Sequence, residues 1–66
     1  MHHIYELKRI TTPKGKRLYY IDNKRVSELT YNRIDAGWLS CDCSSTTFNR
    51  NLSQVDCKTV KTTKTI

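Results

Sequence analysis

Along residues 4–11, Ile4, Glu6, Lys8 and Ile10 alternate with Tyr5, Leu7, Arg9 and Thr11. A period of two marks a strand, and here the apolar side chains fall on both of its faces. Thr12-Pro13-Lys14-Gly15 then reads as a turn, because proline presets φ at the second position and glycine supplies a positive φ. Residues 16–22 form the return strand of this first hairpin, with adjacent tyrosines suited to a pleated surface. Asp22 and Asn23 tolerate the left-handed region better than most residues. They predict a tight second turn, leading into a short third strand that Val26 closes.

The period then changes. Ser27 has the chemistry of a helix N-cap, and Glu28 would sit near the positive end of the helix dipole. Val26 before the cap and Tyr31 in the helix are spaced for a hydrophobic staple. Tyr31, Ile34 and Trp38 continue one apolar stripe, and Gly37 is placed as a left-handed stop, so a helix of about ten residues is expected. Beyond it, Leu39, Cys41 and Cys43 alternate with Trp38, Ser40 and Asp42 as in a fourth strand. Residues 44–54 are polar and turn-rich, with Phe48 as a lone apolar anchor. A terminal strand through Val55, Cys57 and Thr59 follows, and the Thr/Lys tail from about residue 60 reads as loose. The fold class is α+β: a small antiparallel β-meander with one short helix packed on it, plus one or two C-terminal strands.

Length narrows the range of functions. A chain of 66 residues makes a single small domain with a thin core, so a shallow surface suits it better than a deep pocket. The net charge is +6, and it is uneven. Residues 1–33 hold eight cations and three acids, whereas residues 34–66 hold four and three. That bias suggests an electrostatic footprint, although a basic surface also keeps a small protein in solution. No apolar run approaches the roughly 20 residues of a membrane span, nor does the first stretch have signal-peptide character. The expectation is a soluble, cytoplasmic protein, with no membrane partner. Three cysteines agree with a reducing compartment.

Candidate chemistry is sparse. Cys41, Cys43 and Cys57 with His2 or His3 could supply four zinc ligands, but a C-x-C spacing is not that of recurrent structural sites. Both sulfurs of the pair are instead expected on the core side of a strand, as small buried hydrophobes. The acids are scattered singly, and a chain with two glycines has no phosphate-binding glycine loop. No catalytic residue, metal or cofactor is assigned, and the protein is expected not to be an enzyme.

Cations and aromatics give the lead. Lys14, Lys16 and Arg17 ring the first turn, Lys24 and Arg25 the second, and Tyr19 or Tyr20 would lie along the strand between them. Cations with an aromatic platform on a sheet suit single-stranded nucleic acid. The same surface suits an acidic patch on another protein. The plainer reading is that turns are polar and tyrosines fill sheets. Open strand edges and a β-branched C-terminus also suggest homo-oligomers formed by strand pairing.

The run "YYIDNKRVSELTYNRI", residues 19–34, combines paired aromatics, an Asp-Asn turn, Lys-Arg-Val-Ser and a helix with an aromatic in its first turns. It resembles segments of small accessory proteins from bacteriophages and large DNA viruses. The resemblance covers about a quarter of the chain and carries no active-site residue. It implies a stoichiometric role: binding and inhibiting a host macromolecule, such as a defence or nucleic-acid-processing protein.

Overall fold

The computed structural model describes residues 2–66. The chain runs β1 (His3–Thr11), β2 (Arg17–Ile21), β3 (Lys24–Val26), α1 (Glu28–Ala36), β4 (Trp38–Phe48) and β5 (Gln54–Thr62). The strands form one antiparallel sheet in the order β3-β2-β1-β5-β4. The architecture is α+β, as the alternation and the single capped helix imply.

The local chemistry explains the first half. The turn from Thr12 to Gly15 closes with the Gly15 amide donating to the Thr12 carbonyl at 2.9 Å, and Gly15 has φ 87°. Asp22 and Asn23 have φ 52° and 66°, the paired left-handed residues of a type I′ hairpin. Asp22 also ties its turn to the central strand, since its carboxylate accepts the Glu6 amide at 3.0 Å. The Ser27 hydroxyl accepts the Thr30 amide at 3.3 Å and caps α1.

α1 then carries the chain across one face of the sheet, from the β3 edge to the β4 edge. Tyr31 and Ile34 are its buried residues. They close on Leu7, Tyr19, Ile21 and Val60, with Tyr5 and Val26 packed at the margin. Tyr19 and Tyr31 meet ring to ring at 4.9 Å between centroids. Asp35 at the end of α1 pairs with Lys58 of β5. Thr62 is fully buried and pairs its polar atom both ways: its hydroxyl donates to the Gly37 carbonyl at 3.0 Å and accepts the Lys64 amide at 3.1 Å.

Several expectations need correction. Gly37 has φ −109°, so it is not a left-handed stop; it lies against the side chain of Lys64, where a Cβ would meet Cε at 2.5 Å. Trp38 has left the helix and opens β4, 44% exposed, so only Tyr31 and Ile34 of the stripe enter the core. β4 continues through the polar stretch to Phe48, and β5 continues to Thr62 with Val60 and Thr62 buried, so the tail is not loose from residue 60. The expected meander is β1-β2-β3, and the two C-terminal strands extend its sheet with β5 between β1 and β4.

A candidate binding face on the open side of the sheet

The pairing registers sort side chains onto two faces. The helix side holds Tyr5, Leu7 and Arg9 of β1 with Tyr19, Ile21, Val60 and Thr62. The other side has no helix over it. One row there runs across strands: Arg25 is paired with Tyr20, Tyr20 with Lys8, Lys8 with Cys57, and Cys57 with Ser45. Lys8 Nζ lies over the Tyr20 ring, 5.2 Å from its centroid, a cation–π contact. The neighbouring row is apolar, made by Leu18, Ile10 and Val55 in successive register. Beyond the charged row lie Glu6, Thr59 and Cys43, then Ile4 and Lys61.

The sequence-derived site residues divide across this architecture. Tyr20 and Arg25 belong to the open face. Tyr19 does not: it is 8% exposed and belongs to the core, because strand alternation sends it toward Tyr31. Lys24 pairs with the buried Ile21 and so shares the helix side of the sheet, exposed at its margin. Lys14, Lys16 and Arg17 are exposed at the first turn, and β2 spans roughly 17 Å between the two turns. The two basic turns therefore do not form one patch. Lys8, missed in the sequence, joins Tyr20 and Arg25 from β1; its alternation was visible, but its neighbours depend on pairing with β2 and β5.

The open face is shallow. A depression of about 200 Å³ is lined by Glu6, Lys8, Asn23, Cys43, Cys57 and Thr59 among others, below the roughly 300 Å³ at which small-molecule pockets begin. Cys43 donates its thiol to the Thr59 hydroxyl at 3.4 Å. The pair expected as buried thiols is exposed instead: β4 is an edge strand with nearly every residue open to solvent, and a bulge puts Cys41 and Cys43 on opposite faces, against Val60 and Thr59. Cys57 is half-buried. Among the described residues, no group of three or more His, Cys, Asp or Glu is placed to hold a metal ion.

The helix side carries a second polar cluster with a structural role. Asp56 accepts from the Gln54 amide at 3.0 Å, the Thr46 hydroxyl at 2.9 Å and Arg9 at 3.2 Å. These hydrogen bonds, Gln54 first, hold its carboxyl below the ordinary value. Burial, aided by nearby Asp35, pushes the Tyr31 hydroxyl up to about 12. The cluster ties β1, β4 and β5 together beside the apolar core.

Known proteins add no further constraint: no family model, curated protein or solved structure matches the chain. No helix among the described residues is long and apolar enough to cross a membrane.

Proposed function

We propose that this chain is a small non-enzymatic binding protein that engages an acidic surface on another protein through the open face of its sheet. The observation that carries this reading is the row Arg25–Tyr20–Lys8 beside the apolar row Leu18–Ile10–Val55, on a sheet face that no helix covers. Cations supply steering and specificity, and the adjoining apolar side chains supply desolvation. Inhibition of a host protein, as the resemblance over residues 19–34 implies, is one setting for such a binder. A reducing, cytoplasmic environment belongs to the same proposal, supported by three unpaired thiols.

Direct nucleic-acid binding is the second reading, favoured by the same cation–aromatic row. It is the weaker one, because Lys8 already lies over the Tyr20 ring that a base would need, and Tyr20 is the aromatic the sheet presents on this side.

A charge-matched comparison tests both. An acidic, aromatic-containing peptide and a single-stranded oligonucleotide are titrated at low and moderate salt against two double variants. Lys8→Glu/Arg25→Glu alters the open face, and Lys14→Glu/Lys16→Glu makes the same charge change at the distant turn. The expected result is peptide binding lost by at least about tenfold in the first variant and largely kept in the second. Equal losses in both would reduce the effect to net charge and remove the proposed face. Tighter oligonucleotide binding with a steep salt slope would replace the protein partner with nucleic acid.

A further inference from the structure

The two edges of the sheet are unlike. β3 is three residues long and bears Lys24 and Arg25, and shortness and cations are standard means of blunting an edge. β4 is eleven residues long, all exposed except Ser40, and its one charged residue is Asp42. Its first half is broken by register shifts between Trp38 and Ser40 and between Cys41 and Cys43. From residue 43 to 48 the strand is regular, with every residue in unbroken register against β5. This stretch, Cys-Ser-Ser-Thr-Thr-Phe, contains no charge, proline or glycine. An uncharged, regular, exposed edge is a template for another strand.

We propose that residues 44–48 pair with the same residues of a second copy, antiparallel about a two-fold axis centred on Thr46, so that one sheet runs through both copies. Charge selects both the partner and the register. Two chains of net charge +6 repel, and β4 is the strand along which they can approach without opposing cations. Asp42 and Arg50 flank the regular stretch, and neither is in an intramolecular ion pair among the described residues. Antiparallel pairing about Thr46 sets Asp42 of each copy opposite Arg50 of the other, twice by symmetry. Parallel pairing would instead stack like on like.

A two-fold axis normal to the sheet is also the one that joins β4 to β4 while keeping each side-chain face continuous. Both helices then lie on the same side, and the exposed helix side of β4 becomes the floor between them. The contact is small, at the low end of the interface sizes that specific association uses, so the dimer is concentration-dependent.

Sedimentation equilibrium under reductant, from low micromolar to near-millimolar concentration, tests the proposal. The wild-type chain is expected to approach twice its monomer mass as concentration rises. Thr46→Pro, checked for folding by circular dichroism, is expected to remain monomeric. Asp42→Arg should weaken association by about tenfold or more, and Asp42→Arg/Arg50→Asp should restore it. A wild-type chain that stays monomeric throughout would overturn the proposal. So would a dimer indifferent to both Thr46→Pro and Asp42→Arg, and failure of the double variant to recover would overturn the register. These positions lie outside the Arg25–Tyr20–Lys8 row, so the outcome is separable from that of the binding-face test.

Discussion

Tyr31 is the side chain on which α1, β1 and β2 converge. Its ring packs at a tilt against Tyr19 in the core, and its hydroxyl pays for that position by titrating late, at about 12 against an ordinary 10.0. A group whose folded pKa is raised contributes stability that is fully present below its unfolded value and is lost as pH climbs toward the folded value. The native chain should therefore weaken between pH 10.0 and about 12. Tyr31→Phe, which has no proton to lose, should flatten that alkaline limb when denaturant midpoints are followed across the same range. An unchanged slope would show that other groups govern it. Asp56 acts in the opposite sense: its carboxyl is held below 3.8, so its contribution is complete above that value and fades only as pH falls through the folded one.

The two longer hairpin turns have the same hydrogen-bond plan. Thr12 N–H donates to the Lys16 carbonyl and Gly15 N–H to the Thr12 carbonyl; Asn49 N–H donates to Ser53 and Leu52 N–H to Asn49 in the same pattern. Even the side-chain brace repeats, with Thr12 Oγ1 accepting from Lys16 N–H and Asn49 Oδ1 from Ser53 N–H. Gly15 and Leu52 occupy equivalent positions, with φ 87° and 59°. A left-handed leucine costs about 1 kcal/mol, which glycine avoids while giving back some unfolded-state entropy. Leu52→Gly should thus be stabilising by about 0.5 kcal/mol, read from the urea midpoint, whereas Gly15→Leu should destabilise by about 1 kcal/mol. This pair also shows why one turn was legible and the other was not. Thr-Pro-Lys-Gly announces its geometry through proline and glycine, whereas Asn-Arg-Asn-Leu-Ser adopts it through an asparagine side chain and an unfavourable leucine.

Across the molecule, stability should be graded along the sheet. β1 and β5 have strand neighbours on both sides, while β4 has one, and the buried core lies toward the β2 side under α1. Amide hydrogen exchange should be slowest in β1 and β5. In dilute solution the outward amides of residues 44–48 should exchange fast, and raising the protein concentration should slow them selectively. A uniform, concentration-independent pattern along β4 would argue against self-pairing. The placement of the charged row on the other side of the sheet leaves it free in either state.

Local chemistry in the chain was sufficient for the first hairpin, the Asp22-Asn23 turn, the Ser27 cap and the helix, because each is decided within a few residues of itself. It also sufficed for the α+β class. Long-range pairing decided the rest. Alternation gives each strand two faces but does not say which faces the helix, so Tyr19 and Tyr20 could be distinguished only once β2 was set between β1 and β3. Pairing against β5 set Cys41 opposite Val60 and Cys43 opposite Thr59 on an edge strand, which left both exposed where regular alternation on a covered strand buried both. Lys8 joined Tyr20 and Arg25 because β1 is the strand that β2 and β5 share, and β4 became an open edge because β5 took the place beside β1. Those outcomes depend on contacts between residues far apart in the chain, where packing under α1 chooses among registers that local preference leaves equal.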